Sequence, residues 1–401
     1  MLRLRELNEP ITLFAETKQE RKERLRKILM EKKDDEIYPQ CYYDLFQKEY
    51  IKKNELYYTE GTEELVNVRK WIVFDSLLRA QDRKSMKFNS TENNESINSN
   101  QKEKEKQYQL VSSTFGDDYR LFQCQIHNKR IITGGYDKKI KEWNQTNSSL
   151  LKQITVQSPI YSISLSPIEE APIDYVVGLQ NGNVEVIIKE NDETLQLQCH
   201  SDRINSLDFH PSGRFLLTSS FDSLIKLWDL ENGNCVVEHT GHVGSIRSIQ
   251  WHCDGGIFAS GGSDNSIHLF DIRCGKQISL LQGHSSTVTC LDWHCDGGVL
   301  CSSSDDNTIK LWDMRMQKCG YTIPAHNNII TSVHFNSNGT ELLSSSFDQS
   351  IKLWNVENWK WKLVKQFTDH SKPITCCKWI DTDDGFVSCG FDKVWKLYLS
   401  L

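Results

Sequence analysis

The 401-residue chain has no run of about 18 apolar residues, so nothing in it reads as a membrane-spanning helix. Its opening, Met1-Leu2-Arg3-Leu4-Arg5-Glu6, is charged throughout and lacks the apolar core of a secretory signal. Neither sign of charge dominates. There are 47 Lys+Arg against 54 Asp+Glu, a net of −7, which argues against a protein that coats nucleic acid. Residues 1–107 hold 22 basic and 21 acidic side chains, so +1 of that net sits there and −8 in the rest. No Cys-x-x-Cys pair exists, and the cysteine count, 13, is odd. Most thiols lie inside apolar runs, as in Thr289-Cys290-Leu291-Asp292-Trp293, which fits buried thiols in a reducing compartment better than disulfides. At 38% hydrophobic the chain can still build a core, so the expectation is a folded intracellular protein.

What the sequence does have is a repeat. Ser219-Ser220-Phe221-Asp222-Ser223-Leu224-Ile225-Lys226-Leu227-Trp228-Asp229 returns with its turn aspartate at Asp264, Asp306 and Asp348, always 42 residues on. A fifth, Asp392, follows after 44, and a histidine stands 22 residues before each: His200, His242, His284, His326 and His370. The pattern resembles WD repeats, each of which contributes a four-stranded propeller blade. Two further blades are predicted upstream. One is built around Asp137 and Trp143 without the histidine, the other around Asn181 without the tryptophan. Residues 108–401 number 294, or seven times 42. The last blade runs out after its third strand, so Tyr108-Gln109-Leu110-Val111-Ser112 is expected to supply the fourth and close the ring. The fold class expected is therefore an all-β seven-bladed WD-repeat propeller, preceded by a small, mainly helical N-terminal module.

A Ser-His-Asp set in every blade suggests catalysis, but in WD-repeat propellers these residues form one hydrogen-bonded chain that holds the blade. By position the sets are His200/Thr218/Asp222/Trp228, His242/Ser260/Asp264, His284/Ser302/Asp306/Trp312, His326/Ser344/Asp348/Trp354 and His370/Ser388/Asp392. Ser220 faces the same way as Thr218 and is an alternative member. Phe270 and Tyr398 replace the tryptophan in two blades, which are expected to have shortened networks. Once these sets are removed no further carboxylate or histidine cluster remains, so no catalytic residue, enzyme activity or small-molecule substrate is expected. Zinc is conceivable at His252-Cys253 and its copy His294-Cys295, but neighbouring blades would hold the two turns too far apart for a shared ion. Duplicated turn sequence accounts for them better, and no metal or cofactor is expected.

Ahead of the propeller, Thr17-Lys18-Gln19-Glu20 reads as a capping box, with Leu25, Ile28 and Leu29 on one helical face. A second helix is predicted to start near Gly61-Thr62-Glu63-Glu64 and to continue through Leu65, Val68, Trp71, Ile72, Leu77 and Leu78. Residues 1–84 would form this helical module, 85–107 a flexible polar linker, and 108–401 the propeller. The run Leu7-x-Glu9-Pro10-Ile11-x-Leu13-Phe14-x-Glu16, followed by Arg21-x-x-Arg24-Leu25-Arg26, resembles the splicing-factor motif. With Tyr58-x-Glu60-Gly61, Arg69-x-Trp71-Ile72 and Ser76-Leu77-x-Arg79-Ala80, the chain resembles the pre-mRNA-processing factor 4 family, WD-repeat proteins of the U4/U6 small nuclear ribonucleoprotein. Ala15 stands where the motif usually has glycine, and Leu78 where the later segment usually has proline.

The resemblance implies a nuclear, non-catalytic scaffold of the U4/U6 di-snRNP and the U4/U6.U5 tri-snRNP. Its partners would be pre-mRNA-processing factor 3, cyclophilin H and the U4/U6 snRNA particle. By analogy with other WD propellers, Tyr136, Phe221, Asp305, Phe347 and Phe391, each just before a turn aspartate position, line a partner-binding face. Asn205, Arg247, Thr289, Thr331 and Thr375 from the first strands join them. In the N-terminal module Leu13, Phe14 and Leu25 would bury against a protein partner or within the module itself, while Arg21, Arg24 and Arg26 could meet RNA phosphates or form a solvated helix face. A rival reading takes Phe270-Asp271-Ile272-Arg273 and Trp312-Asp313-Met314-Arg315 as the WD-x-Arg boxes of a cullin-RING ligase substrate receptor.

Overall fold

The computed structural model of the chain describes residues 59, 62–97, 107–168, 171–189, 194–357 and 360–400. Their strands form seven antiparallel sheets of four strands each, the seven-bladed propeller expected from the repeat. Blades 1 to 6 begin at Leu121, Ile160, Ile204, Ile246, Val288 and Ile330, and take their four strands in sequence order. Blade 7 has only three strands of its own, Ile374–Trp379, Gly385–Gly390 and Val394–Ser400. Its outer strand is Tyr108–Phe115, which pairs antiparallel with Val394–Ser400, Tyr108 opposite Ser400 and Phe115 opposite Val394. First and last strands thus satisfy each other's backbone groups, and the ring has no open seam.

Apolar side chains fill the space between blades rather than one centre. Ala259, Ile267 and Leu269 of blade 4, for example, pack with Val288, Leu291, Trp293 and Trp312 of blade 5. At the hairpin between second and third strands every blade makes the same turn. The residue after the aspartate, or after Asn181 in blade 2, has positive φ in all seven, at Lys138, Gly182, Ser223, Asn265, Asn307, Gln349 and Lys393. Only one of these is glycine. The left-handed conformation is held because the turn side chain accepts the backbone N–H two residues on, as Asp306 does from Thr308 at 2.9 Å.

A single helix, α1 (Glu63–Ile97), is described ahead of the propeller. Thr62 caps it, its Oγ1 accepting the Leu65 N–H at 3.3 Å, and Glu63 and Glu64 suit the first-turn dipole. The helix continues through 85–97, where a flexible tether was expected. No glycine or proline interrupts the stretch, so nothing stops propagation once the helix is anchored. Leu65, Val68, Ile72 and Ser76, spaced by three or four, form its buried face. Val68 and Ile72 enter the core of blades 3 and 4 beside Phe215, Trp251, Phe258 and Phe270. Arg83 donates to both carboxylate oxygens of Asp254 at 2.9 and 2.5 Å and also to the Asp296 carbonyl. Arg69 donates twice to Thr59, whose own N–H bonds the Cys274 carbonyl at 3.0 Å. Placed with the N-terminal module by its sequence, the helix instead packs with the blades, and Tyr58–Leu401 form one compact unit. The turns it touches, at Asp254, Asp296 and Cys274, lie at the strand ends opposite the aspartate turns.

Truncating Ile72 should therefore be felt by the whole propeller. Ile72→Ala is expected to cost about 2–4 kcal/mol in chemical denaturation, within one cooperative transition. An unchanged propeller transition would mean the helix is only loosely attached.

Candidate functional site

The five histidine-bearing blades share one geometry. In blade 5 the His284 Nδ1 lies 2.8 Å from Asp306 Oδ2 and its Nε2 2.7 Å from Ser302 Oγ. Trp312 Nε1 donates to the same hydroxyl at 2.8 Å. His200, His326, His242 and His370 reach Asp222, Asp348, Asp264 and Asp392 at 2.7–2.9 Å. Their second nitrogens meet Thr218, Ser344, Ser260 and Ser388 at 2.7–2.8 Å. Trp228 and Trp354 complete two further sets by donating to Thr218 and Ser344. Ser220, the alternative, is used differently, bonding the carbonyls of Asp202 and Arg203. These histidine side chains are fully buried with both nitrogens engaged. That is an architecture, not a reactive centre.

Departures are informative. In blade 4 Phe270 leaves Ser260 with no indole donor. In blade 7 Tyr398 turns its hydroxyl to Asp369 at 3.1 Å instead. Blade 1 has no histidine at the network position. Buried Asp117 bonds Lys141 Nζ at 2.6 Å, and Asp137 lies 3.4 Å from the same ammonium. Burial and the neighbouring Asp137 push the Asp117 carboxyl up to about 7, with Lys141 opposing. In blade 2 the hydroxyl and tryptophan positions are apolar, taken by Val177 and Ile187 within one cluster.

A second series of histidines was only partly seen in the sequence, which weighed two of them, His252 and His294, as zinc ligands and passed over His210. His210, His252 and His294 sit in the turns after each first strand, again 42 residues apart. Their Nε2 atoms bond the carbonyls of Gly255, Gly297 and Gly339, each in the next blade, at 3.0–3.2 Å. Nδ1 accepts the backbone N–H of Ser212, Asp254 or Asp296 at 3.1 Å. Those three glycines have φ of +76, +67 and +71°, so the turn that presents the carbonyl needs them. These bonds staple blade 3 to 4, 4 to 5 and 5 to 6. They also occupy the imidazole nitrogens that a zinc at the His-Cys turns would require. Desolvation lowers His210 to about 4, which keeps it neutral and able to play this part.

The face carrying the aspartate turns is where exposed aromatics gather. Tyr136 and Phe221 are 43% and 39% exposed, and Phe347 and Phe391 are half-buried. Phe391 lies 5.7 Å from Phe347 and 6.3 Å from Phe122, which stacks on Tyr161 at 4.6 Å. Three guanidiniums cover these rings. Arg203 lies 4.3 Å and Arg247 6.0 Å from the Phe221 centroid, and Arg120 is 5.1 Å from that of Phe391. Arg203 Nε is buried without a hydrogen-bond partner among the described residues. Of the first-strand positions Arg247 is the exposed one. Asn205, Thr289, Thr331 and Thr375 are half-buried; they line one cavity with it and also bond the carbonyls of Ile246, Ile330, Ile374 and Leu121 in the adjoining blade. Asp305 accepts from Thr287.

The N-terminal candidates Leu13, Phe14, Arg21, Arg24, Leu25 and Arg26 lie outside the described residues. That segment is matched by comparison instead: residues 1–28 fit the family described as pre-mRNA processing factor 4 like. Residues 191–229, 233–271, 275–313, 317–355 and 361–398 fit the WD domain, G-beta repeat. The chain thus joins a segment similar to the pre-mRNA processing factor 4 family to a WD-repeat propeller. The five matched repeats are those with the histidine 22 residues before the turn aspartate; blades 1 and 2, with substituted networks, go unmatched. The chain is also 26% identical over 137 residues to U3 small nucleolar RNA-associated protein 21 of Saccharomyces cerevisiae, covering 32% of this chain and 14% of that one. It is 27% identical over 109 residues to Protein groucho of Drosophila melanogaster, covering 27% and 14%. It thus spans about one-seventh of the length of these curated relatives. They are similar as WD-repeat propellers.

Removing a shared hydroxyl should cost in proportion to the donors it serves. Ser302→Ala strands both His284 and Trp312, whereas Ser260→Ala strands His242 alone. The former is expected to be the more destabilising by about 1 kcal/mol in denaturant titrations. A pH dependence also follows. Burial by itself would raise the Asp348 carboxyl, but bonds from His326 and Ser350 outweigh it and hold the group below the usual carboxylate range. A depressed acid contributes stability that is full above its unfolded pKa of about 3.9 and lost as pH falls toward the folded value. The loss of stability between about pH 5 and pH 2 should therefore be smaller in Asp348→Asn than in the parent chain.

Proposed function

We propose that this protein is a non-catalytic scaffold of the spliceosomal U4/U6 di-snRNP and U4/U6.U5 tri-snRNP, working in the nucleus in pre-mRNA splicing. The observation that carries the reading is the joining of a factor-4-type motif at residues 1–28 to a closed seven-bladed propeller. Pre-mRNA-processing factor 3 is the principal partner, with cyclophilin H in the same subcomplex and the U4/U6 snRNA particle as cargo. The aspartate-turn face, with Tyr136, Phe221, Arg247, Asp305, Phe347 and Phe391, is the docking surface on the propeller. Its chemistry favours a protein partner over bases. The aromatic faces are taken up by guanidiniums and by one another, so a ligand meets ring edges and N–H donors rather than open stacking platforms. In the N-terminal segment Leu13, Phe14 and Leu25 serve as apolar anchors for a partner, and Arg21, Arg24 and Arg26 as contacts to a partner or RNA phosphates.

The ligase-receptor alternative draws less support. It needs the Arg of its boxes free for an adaptor, yet Arg273 is bidentate to its own Asp271, the shorter bond 2.7 Å. Affinity capture from nuclear extract separates the two. U4 and U6 RNAs with factor 3 should be recovered, whereas a cullin adaptor in their place would overturn the scaffold reading. Phe14→Ala with Leu25→Ala should weaken particle assembly while the propeller melts as before. Phe221→Ala is expected to weaken capture of factor 3 by roughly ten-fold or more, as loss of an aromatic anchor does.

A further inference from the structure

One backbone bond recurs beside the aspartate turn of every blade. The residue before the turn aspartate, or before Asn181, donates its N–H to the carbonyl just ahead of the first strand, as Phe221 does to Arg203 at 3.0 Å. Pro159, Ser245, Thr287, Ile329 and Pro373 supply that carbonyl in five blades, so the bond makes no demand on the side chain. Blades 1 and 3 have arginine there, Arg120 and Arg203. Arg247 stands out in the same way. It occupies the first-strand position from which Thr289, Thr331 and Thr375 bond the next blade.

Arg83, Arg130, Arg214 and Arg273 each hold a carboxylate. Among the described residues the guanidiniums of Arg120, Arg203 and Arg247 have no hydrogen bond or ion pair and rest on aromatic rings instead. Arg203 lies 4.3 Å from the Phe221 centroid and 5.5 Å from that of Tyr161, which restricts its rotamers before any ligand arrives. Its Nε is buried without an acceptor, so part of its hydration is already lost while its outer N–H groups stay free. Partial desolvation, and then the like charge of Arg203, hold Arg247 below its usual pKa, with Asp305 opposing. Two like charges thus share the Phe221 ring, and an anion between them would steady both.

Contacts of 5.5, 4.6, 6.3 and 5.1 Å lead from Arg203 through Tyr161, Phe122 and Phe391 to Arg120. The face therefore carries an aromatic band with a pair of cations at one end and a single cation at the other. At about 3.3 Å per extended residue, two carboxylates up to about six residues apart on a peptide reach both ends. Apolar side chains between them would lie on the ring edges. Carboxylates suit these ends because the planar guanidinium donates two parallel N–H groups. A long polyanion suits them less. Asp202 and Asp305 stand beside the cations, accepting from the Arg203 N–H and from Thr287 Oγ1, and their charge would repel successive phosphates.

We propose that this band docks an extended acidic segment of a protein partner, its carboxylates spaced along apolar residues. One carboxylate sits between Arg203 and Arg247 and another at Arg120. The inference rests on the reading of the aspartate-turn face as the scaffold's docking surface, and adds what that surface recognises.

Calorimetry on the full chain tests it. The probe is a glycine-flanked peptide with two glutamates separated by four residues, two of them leucine. A glutamine twin, a phosphoserine twin and an oligouridylate are the comparisons. The glutamate peptide should bind, and its Kd should rise roughly ten-fold or more with Arg203→Gln plus Arg247→Gln, as should that of the glutamine twin for the parent chain. If the double variant fails to fold, Arg247→Gln alone serves, since that side chain is exposed. No binding of the glutamate peptide, or equal binding by the variant, overturns the proposal. So does binding of the phosphoserine twin alone, or displacement of the peptide from these arginines by the oligouridylate. Recovery of U4, U6 and factor 3 from nuclear extract tests the scaffold reading separately. Peptide binding without that recovery sinks the scaffold reading and leaves the chemistry of the band standing; recovery without peptide binding does the reverse.

Discussion

An imidazole can satisfy two partners at once, and in five blades a buried one does so. Each ties the loop entering a blade to the turn between its second and third strands and to the strand hydroxyl. Polar groups that would be costly to bury singly become cross-links when every donor and acceptor is met. This bond also explains why so many serine, histidine and aspartate triplets give no chemistry. Their nitrogens and hydroxyls are committed to one another. Where the histidine is missing, blade 1 builds a buried lysine–aspartate substitute and blade 2 an apolar one. The position demands satisfaction or the removal of polarity, and each blade finds one of these answers.

Much of this was legible in the sequence because it repeats. The 42-residue register located five turns, His200 to Asp222 and onward, and the length arithmetic gave seven blades with a borrowed closing strand. Other features had a signal that was misread. His210, His252 and His294 share the same period, yet two of them beside cysteines drew attention to metal rather than to the glycine carbonyl of the next blade. Asn205, Thr289, Thr331 and Thr375 were assigned by analogy to one lining with Arg247, and they share a cavity with it. Their bonds to the backbone of the adjoining blade are a second role that residue spacing does not encode. Arg203 gave no signal at all, since only the folded ring brings it over Phe221. The length of α1 was hidden because its second half is polar: composition suggested a tether, while an uninterrupted helix anchored by Ile72 and Arg83 simply carries on.

The anchoring of α1 also divides the surface. The helix occupies turns at one end of the strands of blades 3 to 5, leaving the aromatic and arginine-rich end uncovered by it. Its outer side keeps Phe74, Leu77 and Leu78 at 67%, 55% and 45% exposure, held in place by a rigid support. The two ends of the propeller are chemically unlike, one polar-cationic with aromatic edges, the other carrying an apolar helical ridge.

The matched repeats do not coincide with the sheets. Residues 233–271, for instance, take the outer strand of blade 3, Asn234–His239, together with three strands of blade 4. Every genetic unit therefore straddles a physical boundary. Deleting one unit removes pieces of two sheets, yet the flanking pieces still match. A family of such rings could change its circumference by whole units without leaving a half-built sheet behind, and a single break anywhere always leaves one sheet short.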